Sequence, residues 1–229
     1  MNVGRRMKHP VITVNADVPI TKAHEIMSRE KVSQLPVLKN NKLVGVIGEE
    51  DILKAYPSSA TTLAVWEITA LIEKIAVKDV MSKNVFTVAE DTPIEEAARI
   101  LADNKISSLP VMRDGELVGI ITETDLFRIM LEMLGARHPG VRITVLTPNI
   151  PGTIAKVAGA IFENGGNITA MSTFEGDSAN TFMISAKVEG IDAITLRELI
   201  TPLVTDPDHA VPAVTARSRR GIASTAARK

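Results

Sequence analysis

The residue pair whose types and spacing best suit chemistry is Thr122 and Asp125, in the run Gly119-Ile120-Ile121-Thr122-Glu123-Thr124-Asp125. The run lies where a strand turns into a helix. Backbone N–H groups in a first helical turn lack intrahelical acceptors and carry partial positive charge, which suits a phosphate. The Thr122 hydroxyl adds a donor, and the Asp125 carboxylate can accept from two ribose hydroxyls. The same Thr-x-x-Asp spacing is also that of a capping box that only starts a helix, and spacing alone ranks this plainer reading first.

An equivalent run, Gly45-Val46-Ile47-Gly48-Glu49-Glu50-Asp51, keeps the aspartate, puts Gly48 where the hydroxyl was and adds Glu50 where the other copy has Thr124. Extra carboxylate charge repels an anion. If one of the two sites is occupied, the second is expected, with Asp51 the weaker candidate. Other chemistry is sparse. His9, His24, His138 and His209 have no metal-ligand spacing, and there is no P-loop, dinucleotide glycine fingerprint or nucleophile elbow. Cysteine is absent, which excludes disulfides, thiolate nucleophiles and cysteine metal sites.

The elements that must position these runs come from an internal repeat. At an offset of about 74 residues, 3–55 matches 77–129 without a gap, with about 21 of some 53 positions identical. Each copy reads as a short strand (85–88 in the second), a helix starting at Asp91-Thr92-Pro93, with proline in its first turn and Ile94, Ala97, Ala98 and Leu101 on one face, then two strands (108–112 and 116–121) around an Asp114-Gly115 hairpin turn, then a helix over about 124–134. One such unit is too small to bury both faces of its sheet, so the two should pack together. Apolar residues over 62–75 read as a packed connecting helix with Trp66 as an interface anchor. Met27, Met81, Met112, Met130 and Met133 are expected in the core.

From about 136 the pattern changes. A strand (141–146), a turn at Pro148-Asn149-Ile150-Pro151-Gly152, a helix (153–162) closed by Gly165-Gly166-Asn167, two strands (168–174 and 181–188), a helix (193–204) and a last strand (210–216) give the order of a ferredoxin-like split unit.

The 229-residue chain is 45% apolar with a net charge of −1. That near-neutrality is a sum of opposites. Residues 215–229 hold five cations and no acid, leaving the body with 21 basic against 27 acidic groups, or −6. An acidic body with 3% aromatics is a poor nucleic-acid surface. The apolar stretch 63–80 contains five charges and does not read as a membrane span, and the basic start meets Asp17 before any signal-like apolar run. A cytoplasmic protein with a disordered basic tail is expected, without nucleic-acid or membrane partners.

The Val-x-Thr-Val strand, the Asp-Thr-Pro-Ile-x-Glu-Ala-Ala helix start, the Ser-Ser-Leu-Pro-Val strand and the Gly-hydrophobic-hydrophobic-Thr-x-x-Asp end resemble a tandem pair of CBS domains. The Pro148–Gly152 turn with Gly165-Gly166-Asn167-Ile168 resembles an ACT domain, and the combination resembles acetoin-utilisation-type CBS/ACT regulatory proteins. The resemblance implies an α+β chain: a CBS pair (Bateman module) of two βαββα repeats at 1–56 and 77–135 joined by a connecting helix at 57–76, a ferredoxin-like βαββαβ ACT domain at 136–217 and a tail at 218–229. It implies a non-catalytic sensor, with no cofactor or metal, whose ligand is an adenine nucleotide (AMP, ADP, ATP or S-adenosylmethionine). Thr122 and Asp125 would hold phosphate and ribose, and Val85, Thr87, Ser107, Ser108, Leu109 and Pro110 would frame the adenine. For the ACT unit it implies an amino-acid site at Asn149, Ile150, Pro151, Gly152, Thr153, Asn167 and Ile168, or dimerisation alone. A homodimer and an unidentified regulated protein are the expected partners. The alternative is a structural or partner-binding module without ligand.

Overall fold

The computed structural model describes residues 1–56, 65–203 and 211–213. It divides into two units, Met1–Phe127 and Arg128–Lys229. The Trp66 side chain and the tail over 218–229 lie outside the described residues. Among the described residues no helix is long and apolar enough to cross a membrane.

The first repeat runs β1 (Val14–Asn15), α1 (Ile20–Glu30), β2 (Gln34–Lys39), β3 (Lys42–Gly48), α2 (Glu49–Ala55). After α3 (Val65–Ile72) and α4 (Val77–Val80), the second runs β4 (Val88–Ala89), α5 (Ile94–Asn104), β5 (Ser108–Arg113), β6 (Glu116–Thr122), α6 (Glu123–Met133). Each repeat holds a three-stranded sheet in which the first strand lies parallel to the second and the third antiparallel to it. Apolar residues at helical spacing cover the sheets: Ile20, Ala23 and Met27 from α1, Ala97 and Leu101 from α5. Both hairpins turn on two residues with positive φ, Asn40-Asn41 and Asp114-Gly115, as the primed turn demands. Lysines close α1 and α5: Lys31 (φ 55°) and Lys105 (φ 52°) adopt the left-handed conformation usual for glycine, and the next N–H bonds back to Met27 and Leu101.

The repeats complete each other by exchange. Val3 is buried in the core of the second repeat with Leu101, Leu109 and Ile121, and Val77 in that of the first with Leu35 and Ile47. Lys8 and Ile120 exchange backbone hydrogen bonds (2.9 and 3.2 Å), and Ser82 and Val46 do the same (2.9 and 3.0 Å). Where these segments cross the sheets glycine avoids a clash, since a Cβ at Gly119 would run into the Met7 thioether and one at Gly45 into that of Met81. This exchange explains why the strand expected over 85–88 shrinks to Val88–Ala89: Ser82, just upstream, is paired with the other copy. Pro93 sits at the N-cap of α5, one place before the expected first turn. Met130 and Met133 are exposed, 45% and 63%, because Leu126 and Ile129 take the packed face of α6.

The second unit runs β7 (Val141–Pro148), α7 (Thr153–Glu163), β8 (Asn167–Glu175), β9 (Thr181–Glu189), α8 (Ala193–Ile200) and β10 (Val211–Ala213). Its sheet is antiparallel in the order β10-β7-β9-β8, the arrangement of a split βαβ unit. Ile143, Val145, Ile184 and Ala186 meet Val157, Ile161, Leu196 and Ile200 from the helices. The helix expected over 193–204 ends at Ile200 in a 3-10 turn, Thr201–Leu203. Of the strand expected over 210–216, 211–213 are described.

Candidate functional site

A cleft of about 810 Å³ opens where the two repeats meet. Its walls are the β3–α2 turn (Gly48, Glu49, Glu50, Asp51), the exchanged segment (Ser82, Asn84, Val85, Phe86) and the α5–β5 connection (Lys105, Ser107, Ser108). Gln34 spans the meeting point: its Nε2 donates to Ser107 Oγ at 2.6 Å, and its Oε1 accepts from the Ser108 hydroxyl. Among the described residues, Glu49, Glu50, Asp51 and Glu123 line the cleft with one base, Lys105.

Thr122 and Asp125 lie off this lining. They form a reciprocal helix cap. The Thr122 hydroxyl and N–H both donate to Asp125 Oδ2, at 2.6 and 3.1 Å, and the Asp125 N–H donates back to Thr122 Oγ1 at 3.4 Å. Lys8 Nζ stands 3.7 Å from Asp125 Oδ1, and the carboxylate is almost fully buried. In the first repeat, Gly48 N–H donates to Asp51 Oδ2 at 2.8 Å without a hydroxyl. The two aspartates thus share a capping bond, and the second copy adds to it.

The structure brings part of the expected grouping together. Val85, Ser107, Ser108 and Asp51 come together in one cleft, whereas Thr122 and Asp125 do not line it, although Glu123 between them does. Leu109 and Pro110 are buried within β5, Leu109 in the core with Ile121, and Thr87 is exposed outside the cleft. Sequence reasoning missed Gln34, Ser82, Asn84 and Lys105. Gln34 is the repeat partner of Ser108 and could have been found that way. Ser82 and Asn84 become visible only once the exchange is known.

The second unit has its own cavity, about 1340 Å³, at the β7–α7 turn and the β8–β9 hairpin. Asn149, Ile150, Pro151, Gly152 and Thr153 line it with Phe174, Glu175 and Phe182. Asn149 and Thr153 also hold the turn: Asn149 N–H donates to Asn180 O at 2.8 Å, and the Thr153 hydroxyl to Pro148 O and Ile150 O at 3.0 Å each. Asn167 and Ile168 lie elsewhere. They begin β8, whereas Thr173–Gly176 at its far end line the cavity, so eight residues of extended strand, roughly 26 Å, separate Asn167 from Glu175. Within one chain they cannot share that site.

Comparison with known proteins places the first unit. The CBS domain family matches residues 3–58 and 77–132. An inosine-5'-monophosphate dehydrogenase from Korarchaeum cryptofilum is 34% identical over 118 residues, 51% of this chain but 22% of that enzyme, so the chain spans about a fifth of the length of that relative. An uncharacterized protein of Methanocaldococcus jannaschii is 34% identical over 149 residues, 55% of this chain and 88% of that protein. Among solved structures, the Vibrio cholerae protein bearing the name acetoin utilization protein (AcuB) is 26% identical, covering 60% of this chain and 95% of that one with a TM-score of 0.50. The chain belongs to the CBS-domain family and carries two copies of the domain in tandem.

Proposed function

We propose that this is a non-catalytic regulatory protein that binds an adenine nucleotide, or a related adenosyl compound, in the cleft between its CBS repeats. The observation that carries the reading is the cleft itself. Its volume of about 810 Å³ falls within the usual range of small-molecule sites. Ser107 and Ser108 offer hydroxyls at its wall, Phe86 and Val85 offer apolar surface to a base, and Asp51 can accept from a ribose. Among the described residues, four carboxylates against one lysine favour a ligand with a neutral or cationic 5′ group, such as S-adenosylmethionine, over a triphosphate.

Sensing requires that the ligand bind two arrangements of the protein unequally. We read the second unit as an ACT domain that dimerises or binds an amino acid; its strand order and the cavity at the β7–α7 turn support this. A homodimer is supported by exposed apolar side chains at repeat-equivalent positions, Leu53 on α2 (68%) and Phe127 on α6 (61%).

Thermal unfolding with AMP, ADP, ATP, S-adenosylmethionine and amino acids tests the reading. A ligand at 100 times its dissociation constant adds about 2.7 kcal/mol. Absence of a shift with every adenosyl compound overturns ligand binding and leaves the second reading, a structural or partner-binding module. The Thr122–Asp125 cap, which serves a helix without any ligand, is the observation that favours it.

A further inference from the structure

We propose that Lys8 plugs the second repeat's site, so that each chain binds a single adenosyl ligand, at the Gly48–Asp51 cleft. This rests on the ligand reading above and adds stoichiometry, location and the residue responsible.

The second repeat has the counterpart of the cleft, reduced to a recess of about 240 Å³. Six of the eight residues lining it, Lys8, Pro10, Ile12, Val32, Gln34 and Ile120, are the repeat equivalents of the cleft residues Ser82, Asn84, Phe86, Ile106, Ser108 and Val46. The strand-to-helix turn that borders the large cleft, Gly48–Asp51, has no counterpart in the lining of the recess, which includes neither Thr122 nor Asp125.

Lys8 stands where the open cleft has Ser82. Its backbone is pinned by the two-way bonds to Ile120, so its side chain starts from a fixed point and its ammonium reaches Asp125 Oδ1. The other carboxylate oxygen takes the Thr122 hydroxyl and N–H. Both oxygens that a ribose diol would use are thus engaged within the chain. At the open cleft, Ser82 is pinned in the same way to Val46 but is short and uncharged, and among the described residues Asp51 accepts only the Gly48 N–H. Lys8 is about half exposed, so the plug is a side chain held by a charge pair rather than a packed wall.

Native mass spectrometry of the full chain with AMP, and separately with S-adenosylmethionine, reads the number of ligands bound. The expected result is one per chain in the wild type and in Lys8→Arg, two in Lys8→Ser, and one again in Lys8→Ser/Asp125→Asn, with second-site affinity rising at least about tenfold on loss of the lysine. Lys8→Ser installs the residue that the equivalent position already carries, and a matching far-UV circular dichroism spectrum verifies its fold. Two ligands in the wild type, or one in Lys8→Ser, overturns the plug. Weaker binding in Lys8→Ser than in the wild type makes Lys8 a ligand contact and overturns it too. No binding by any variant overturns the ligand reading itself, and the plug with it.

Discussion

The two CBS repeats agree wherever the backbone sets the terms. Val37 pairs with Gly45 and Val111 with Gly119, each followed by the same register shift. Glu49 N–H bonds to Ser33 O and Glu123 N–H to Ser107 O, both at 3.1 Å. They part at the rim of the clefts, where Lys8 faces Ser82, Gly48 faces Thr122 and Glu50 faces Thr124 in the repeat alignment. Strand pairing, left-handed caps and the glycine crossings leave little freedom, whereas a rim side chain changes without cost to the sheet.

The sharpest test of scaffold equivalence is also the most destabilising. Leu35→Ala and Leu109→Ala remove fully buried side chains from equivalent places, and each is expected to lower stability by about 2–5 kcal/mol in denaturant unfolding. Losses differing by more than about 2 kcal/mol would break the equivalence.

Next come the crossings. Gly45→Ala and Gly119→Ala each press a methyl into a methionine thioether, with an expected loss of about 1–3 kcal/mol. Shortening the facing side chain, Met81→Ala or Met7→Ala, should recover part of it in a double-mutant cycle. An additive cycle would show that the methionines do not enforce the glycines.

The caps should respond unequally. Thr122→Ala removes the hydroxyl from the second cap and is expected to lower stability by about 1 kcal/mol. Gly48→Thr supplies the first copy with the missing group; its backbone (φ −113°, ψ 168°) suits any residue, and the nearest atom to a new Cβ is 3.5 Å away. A gain of a few tenths of a kcal/mol is expected, glycine being nearly as good an N-cap as threonine.

The smallest effect concerns acid. The hydrogen bond from Lys78, reinforced by the charges of Lys39 and Lys78, holds the Asp17 carboxyl below its ordinary value, across the exchange between copies. A folded carboxylate with a lowered pKa contributes stability above its ordinary range and loses it as pH falls through the lowered value. Thermal melts from pH 7 to pH 3 should therefore show a slightly smaller acid loss in Lys78→Ala than in the wild type, with the difference shrinking in salt because the pair is exposed.

The repeat was legible because identities recur at a constant offset, and the hairpins because Asp114-Gly115 announces its turn. Lys31 and Lys105 were not legible as left-handed caps, since nothing in a lysine asks for positive φ. The exchange was hidden for a different reason: Val3 and Val77 look like any core valine, and only three-dimensional pairing shows whose core they fill. The site suffered most. Thr122–Asp125 looks richer than Gly48–Asp51 because the sequence displays local donors, while the lysine that pairs with Asp125, Lys8, lies more than a hundred residues upstream. Spacing did rank the cap ahead of the phosphate site, and the bonds between Thr122 and Asp125 have the geometry of a cap. Asn167 was grouped with the Asn149 turn without regard to strand direction, which places the two at opposite ends of the sheet.

Titration calorimetry with AMP and S-adenosylmethionine on Asp51→Asn and Asp125→Asn tests the placement of the ligand most directly. Binding in the Gly48–Asp51 cleft predicts that Asp51→Asn weakens the better ligand at least about tenfold while Asp125→Asn leaves it within about twofold; the reverse pattern would contradict it.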